Sequence, residues 1–140
     1  MPTSQSILIT GAGSGIGRGV ALYLARAGYR IIATDLSLEA AQSTVDAIIE
    51  VGGQGSAYAM DVTSEAATQA VFDSEDDIHG IINNAGIQHI DPIEDFPKDK
   101  WEALIKILLV GPAIATGIAV KYMREKGYGR IINIGSIHGL

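Results

Sequence analysis

With 140 residues, 47% of them hydrophobic, and a mean hydropathy of +0.24, the chain has material for one packed core, which excludes a disordered segment and leaves no room for two domains. A net charge of −6 argues against a nucleic-acid partner, and the absence of cysteine removes disulfides and thiolate metal sites. Residues 1–6 lack the basic stretch and apolar core of a signal peptide, and no uninterrupted apolar run reaches membrane-spanning length, so a cytoplasmic protein with no membrane partner is expected.

Short apolar runs alternate with helical stripes, the pattern of βαβ units around a parallel sheet. The first strand, over 7–10, leads into Thr10-Gly11-Ala12-Gly13-Ser14-Gly15-Ile16-Gly17. There a strand turns sharply into a helix, whose start aims free N–H groups and a positive dipole end at whatever lies before it. Gly-x-x-x-Gly-x-Gly at such a turn fits a dinucleotide pyrophosphate, with Gly11, Ser14, Gly15, Ile16 and Gly17 as cofactor-side candidates; a glycine-rich turn without a ligand is the alternative. Ile16, Val20 and Leu24 recur every four residues, which predicts an amphipathic helix that Gly28 ends.

A strand over 30–34 follows, and Asp35 stands at its tip, eighteen residues beyond Gly17. A carboxylate there accepts hydrogen bonds from ribose hydroxyls and repels a 2′-phosphate, which favours NAD over NADP; capping of the next helix is the alternative role. Leu38, Ala41, Val45 and Ile48 mark that helix, closed by Gly52-Gly53. A strand over 56–60 brings Asp61 toward the adenine edge with Val62 against the ring, although Asp61 also fits an ordinary turn. Thr63 or Ser64 caps a short third helix with Glu65 in its first turn. A strand over 78–83, a long helix from 99 or 100 to 121 opened or kinked at Pro112, and a strand over 130–134 complete the pattern. Three scattered histidines without carboxylate spacing give no metal site.

Four segments occur in order: the glycine turn, Asp61-Val62, Asn83-Asn84-Ala85-Gly86, and Ile131-Ile132-Asn133-Ile134-Gly135-Ser136. Together they resemble the short-chain dehydrogenases/reductases over essentially the whole chain. The resemblance implies that Asn83, Ala85 and Gly86 lie on the cofactor side and that Ser136 is the catalytic serine, which hydrogen-bonds the substrate oxygen as hydride moves. Asn-Asn-Ala-Gly-Ile-Gln-His, Ile-Glu-Asp-Phe-Pro and Gly-Arg-Ile-Ile-Asn-Ile-Gly-Ser-Ile-His-Gly-Leu narrow it toward the D-3-hydroxybutyrate dehydrogenases. That group implies NAD as cofactor, a small hydroxy acid or keto acid as substrate, and Gln88 and His138 as residues that hold its carboxylate. Both follow strand ends, where such folds place ligands, while a surface position remains open for His138.

Three features depart from that family. Its proton-transferring tyrosine, with a lysine four residues later, lies beyond the serine, and the chain ends at Leu140 before such positions. Tyr122 and Lys126 spell the pair, but they precede Ser136 at the end of the helix that leads into the last strand, and read as a surface aromatic among charges. Leu108 replaces the family's usual asparagine, and the stretch 72–83 is shorter than usual by about one and a half helical turns. The expectation is a three-layer α/β/α Rossmann-type domain over residues 1–140, with a five-stranded parallel sheet in order 3-2-1-4-5. By resemblance it is an NAD-dependent oxidoreductase interconverting 3-hydroxybutyrate and acetoacetate; a catalytically incomplete NAD-binding module is the alternative. The exposed last strand and long helix suggest a homodimer through residues 101–122. A flavodoxin-like sandwich leaves Asn-Asn-Ala-Gly and Ser136 unexplained.

Overall fold

A computed structural model describes residues 5–137. Five parallel strands, β1 (Ser6–Thr10), β2 (Arg30–Asp35), β3 (Gln54–Ala59), β4 (Gly80–Asn83) and β5 (Arg130–Asn133), pair in the order β3-β2-β1-β4-β5. Helices α1 (Gly15–Arg26), α2 (Leu38–Glu50) and α3 (Glu65–Asp73) make the first three crossovers. The chain runs from β4 to β5 through a 3-10 turn (Ile93–Asp95), α4 (Lys98–Ile105), a π-helical turn (Lys106–Val110) and α5 (Gly111–Lys126). The expected three-layer architecture and strand order are those found.

Strand alternation divides the core in two, because successive side chains point to opposite faces. Leu8 pairs in register with Ile32 and Ile81, and that face packs on Val71 and Phe72 of α3 and on Ala115, Ile118 and Met123 of α5. One residue on, Ile9 pairs with Ala33 and Ile82, and the opposite face packs on Ala21 and Ala25 of α1 and on Ala41, Val45 and Ile48 of α2. All of these side chains are buried. Each contributes roughly 1.5–3 kcal/mol where it is a full-sized aliphatic or aromatic group.

The helix starts differ in a way that bears on the site. Ser37 and Ser64 cap α2 and α3, accepting from the backbone N–H groups of Ala40 and Ala67, each at 3.2 Å, and Glu39 and Glu65 sit in the first turns. Ser14 at the start of α1 makes no side-chain cap bond, and the first turn of α1 carries no acid. That end of α1 has its dipole and leading amides without a side-chain cap or a neighbouring acid.

The long helix expected over 99 or 100 to 121 is opened beside Pro112 as expected, since Pro112 has no N–H to donate and the turn before it is π-helical; its end differs, because it runs on to Lys126. Counted as one stretch, Lys98–Lys126 is also long and apolar enough to cross a membrane, with 29 residues and a mean hydropathy of 2.1 in its apolar window, more than a search for uninterrupted runs allowed. Ala115, Ile118, Ala119 and Met123 of α5 pack on the sheet, as those of a core helix do.

The short α3 ends at Asp73, and Glu75 closes the gap it leaves over β2 and β3. The Glu75 carboxylate, 8% exposed, accepts from both Arg30 nitrogens at 2.6 and 3.1 Å, from Ser56 Oγ at 2.5 Å and from the Tyr58 hydroxyl at 2.9 Å. Burial pushes its carboxyl upward, but the hydrogen bonds from Arg30, Ser56 and Tyr58 outweigh this and hold it below the usual glutamate range.

Candidate functional site

At the C-terminal edge of the sheet, the start of α1, the tips of β2 and β3 and the loop after β4 enclose a cleft of about 420 Å³. Parallel order reverses here, between β1 and β4, and such switch points are where doubly wound sheets place ligands. The glycine turn forms one wall. Gly11 has φ +65°, and a Cβ on Gly17 would lie 2.2 Å from the Gly11 carbonyl oxygen, so the first turn of α1 sits directly on the loop.

Asp35 forms the far end. One carboxylate oxygen accepts from the Gly13 N–H at 3.0 Å and the other from the Ser37 N–H at 3.3 Å. Ser37, and not Asp35, supplies the side-chain cap of α2. Asp61 accepts from both the N–H and the hydroxyl of Thr63 at 2.8 Å, an Asx turn that holds it at the rim. Val62 packs beside Gly111, where a Cβ would lie 3.0 Å from the Val62 carbonyl oxygen.

Nine of the sequence-chosen residues line the cleft: Gly11, Ser14, Gly15, Ile16, Asp35, Asp61, Val62, Ala85 and Gly86. Gly17 lies beneath the turn as packing. Asn83 turns elsewhere, donating to Asn133 Oδ1 at 2.8 Å and Thr116 Oγ1 at 3.3 Å, and lines a second cavity of about 380 Å³ with Leu108 and Pro112. Its neighbour Asn84 takes the place at the cleft, and sequence reasoning passed over it. Asn84 Nδ2 donates to the carbonyls of Thr10 and Gly11 at 3.0 and 3.3 Å, while Thr10 Oγ1 accepts from the N–H groups of Asn84 and Ala85. Leu36, Met60, Ile87 and Ile107 add apolar wall that the motif did not announce.

The substrate-side candidates are less gathered. Gln88 is exposed in the loop after β4, one residue past Ile87, which lines the cleft. Ser136 is exposed three residues past β5, on the same edge of the sheet. His138 lies outside the described residues. Tyr122 and Lys126 stand away from the cleft. The Tyr122 ring packs on Phe72 at 5.4 Å between centroids, its hydroxyl donates to Asp73 at 2.5 Å and accepts from Gln69 at 2.8 Å, and Lys126 bonds Asp77. The bond to Asp73, followed by burial, raises the Tyr122 phenol above its ordinary value, opposite to what proton transfer near neutral pH requires.

The sheet order and the glycine turn at its switch point define a doubly wound α/β domain of the Rossmann type. The chain belongs to the short chain dehydrogenase family, whose profile matches residues 5–140. It is 41% identical to the uncharacterized oxidoreductase YxjF of Bacillus subtilis, over 97% of this chain and 54% of that protein. It is 38% identical to a D-beta-hydroxybutyrate dehydrogenase of Cupriavidus necator, over 100% of this chain and 56% of that protein. Among solved structures, NAD+-bound xylitol dehydrogenase superposes with a TM-score of 0.92 at 34% identity, covering 96% of this chain and 54% of that one. A gluconate 5-dehydrogenase from Burkholderia cenocepacia in complex with NADP and tartrate gives 0.89, also at 34% identity, over 94% and 53%. The chain thus spans about half the length of the relatives it matches.

Proposed function

We propose that this chain forms the NAD site of an oxidoreductase that interconverts 3-hydroxybutyrate and acetoacetate. One observation carries the reading: the α1 start, without cap or acid, shares its cleft with the Asp35 carboxylate. A pyrophosphate suits the first and a ribose diol the second. The fit is chemical as well as spatial, since the glycine wall lets backbone amides approach an anion, and Val62, Met60 and Ile107 offer apolar surface to an adenine. The bound nicotinamide supplies hydride transfer. The chain's own residues then orient the acid: Ser136 at the substrate oxygen, Gln88 and His138 at its carboxylate. The D-beta-hydroxybutyrate dehydrogenase relative supports the substrate class. Solved neighbours hold NAD+ in one case and NADP in another, so the choice of NAD rests on Asp35, whose charge opposes a 2′-phosphate. A homodimer through residues 101–122 belongs to the same reading, since Trp101, Ile105, Leu108 and Leu109 are 44–65% exposed.

A second reading, that this chain holds NAD without turning it over, is favoured by Tyr122, whose phenol is engaged with Asp73 away from the cleft. Titrating the chain with NADH and with NADPH by fluorescence, while assaying NAD-dependent oxidation of 3-hydroxybutyrate, separates the two. NADH binding with turnover is the expected result for the enzyme, and NADH binding without turnover for the holding module. No binding of NADH removes both, NADPH bound as tightly as NADH removes the role of Asp35, and a monodisperse monomer in light scattering at micromolar concentration removes the homodimer.

A further inference from the structure

The glycine turn is gripped from outside at one peptide unit, the one joining Ala12 to Gly13. Its carbonyl accepts from Thr44 Oγ1 at 2.8 Å, and its N–H donates to Asp35 Oδ2 at 3.0 Å. Thr44 belongs to α2 and Asp35 to the tip of β2, so two separate elements hold the two ends of a single peptide plane. The preceding peptide unit is tied as well, its Ala12 N–H donating to the Thr34 carbonyl at 2.9 Å.

Thr44 is fully buried, and its hydroxyl has one hydrogen to give. The Ala40 carbonyl one turn back stands at 3.4 Å, the ordinary back-bond of a helical threonine, whereas the Ala12 carbonyl stands at 2.8 Å. Arg18 of α1 donates to the same Thr44 oxygen at 3.1 Å, which strengthens the hydroxyl as a donor toward Ala12. The geometry therefore runs as a chain from the Arg18 guanidinium through the Thr44 hydroxyl to the Ala12 carbonyl. Space enforces it too. A Cβ on Gly13 would lie 2.6 Å from the Ala40 Cβ and 2.8 Å from Asp35 Oδ2, so the plane is pressed against α2 with no side chain between.

We propose that Thr44 is a positioning residue of the nucleotide site: with Asp35 it fixes the Ala12–Gly13 peptide plane so that the amides following it, at Ser14, Gly15 and Ile16, are already aimed into the cleft. The proposal rests on the nucleotide reading above and adds a contribution to affinity from Thr44, a residue that does not itself line the cleft. A turn held in its binding shape beforehand loses less conformational freedom when the anion arrives. It also couples the two ends of the site, because the carboxylate that would read the ribose is the same group that clasps the phosphate turn.

Thr44→Val removes the hydroxyl at nearly constant volume, and Thr44→Ser keeps it. NADH affinity of the 140-residue chain, by fluorescence, is expected to fall about three- to tenfold in Thr44→Val and to stay within about twofold in Thr44→Ser. Inorganic pyrophosphate, competing with NADH, should weaken by the same factor, since the damage lies at the phosphate turn. Hydrogen exchange at the Gly13 amide should quicken in Thr44→Val alone. A folded Thr44→Val chain with wild-type NADH affinity and wild-type Gly13 exchange, whatever its melting temperature, overturns the proposal and leaves the nucleotide reading standing. If the wild-type chain binds no NADH, the nucleotide reading fails instead and takes the proposal with it. Should Thr44→Val not fold, Arg18→Leu at a half-buried position reads the same chain of bonds: faster Gly13 exchange and weaker NADH binding support the clamp, and wild-type values overturn it.

Discussion

On the β3–β2–β1 flank of the sheet, Ile31, Ile32 and Ala33 have no exposed surface, and α1 and α2 lie close over the strands. On the β4–β5 flank every residue of β5 is exposed, Ile132 to 50%, and the neighbouring α4 and π turn leave Ile105, Leu108 and Leu109 in the open. The strand residues are of the same kind; β2 lies inside the sheet with strands on both sides and helices over both faces, whereas β5 is an edge strand that pairs with β4 alone. The glycine turn, Asp35 and Asn84 are therefore held by packed elements, while Ser136 follows a strand that little in the described residues braces. Under the function proposed above, nucleotide binding draws on the covered flank and the placement of Ser136 on the open one.

The sharpest way to break the comparison is a single methyl group on the covered flank. Gly17→Ala places a Cβ 2.2 Å from the Gly11 carbonyl oxygen and 2.5 Å from Asn84 Nδ2, and the first obstacle is backbone, which cannot swing aside. A loss of about 3 kcal/mol is expected, at the upper end of overpacking costs, together with loss of NADH binding. Thermal melting and NADH titration check it. A variant that melts and binds as the wild type does would mean that the turn is far softer than its contacts imply.

That same turn shows what was legible beforehand. Ile7-Leu8-Ile9 and the glycines declare a strand, a turn and a helix by local chemistry alone and the βαβ pattern a parallel sheet, whereas the order 3-2-1-4-5 is what the family resemblance implies. Asn83 and Asn84 were harder, because a motif names both and only strand alternation assigns them. Ile81 faces α5 and Ile82 faces α1, so Asn83 returns to the α5 side, and Asn84, past the strand end, bends over Thr10. Counting by twos from Ile81 would have placed Asn83. Thr44 sits in the buried stripe of Ala41, Val45 and Ile48, so its burial was readable, but its partner Ala12 is 32 residues away and no local rule reaches that far. Glu75 was not legible at all, since it lies in a short connection and draws its partners from β2 and β3.

Glu75 offers the next largest effect, again on the covered flank. Glu75→Gln removes the charge that Arg30 pairs with and leaves a half-buried guanidinium with a weaker acceptor; about 1–3 kcal/mol of stability should be lost at neutral pH. The pH dependence has a definite sign. The folded carboxyl titrates below its ordinary value of 4.5, so its contribution is present above that pH and is lost as the pH falls through the folded value. Melting temperatures measured from pH 7 down to pH 3 should converge for wild type and Glu75→Gln at the acid end. Parallel curves would show that the charge on Glu75 contributes nothing and that its hydrogen bonds alone hold the gap left by α3.

On the open flank the same kind of substitution as Gly17→Ala should have the opposite sign. Gly117 lies within α5, is exposed, and has nothing within 4 Å of where a Cβ would stand. Alanine there meets no obstacle, and it restricts the unfolded chain while favouring helix, so a gain of about 0.5–1 kcal/mol is expected with NADH affinity unchanged. The measurement also tests the proposed homodimer. If α5 meets a second copy at Gly117, the added methyl falls in that contact, and the gain shrinks or reverses as protein concentration rises. A gain that is independent of concentration would place Gly117 outside the interface and confine the dimer to the apolar side chains around the π turn.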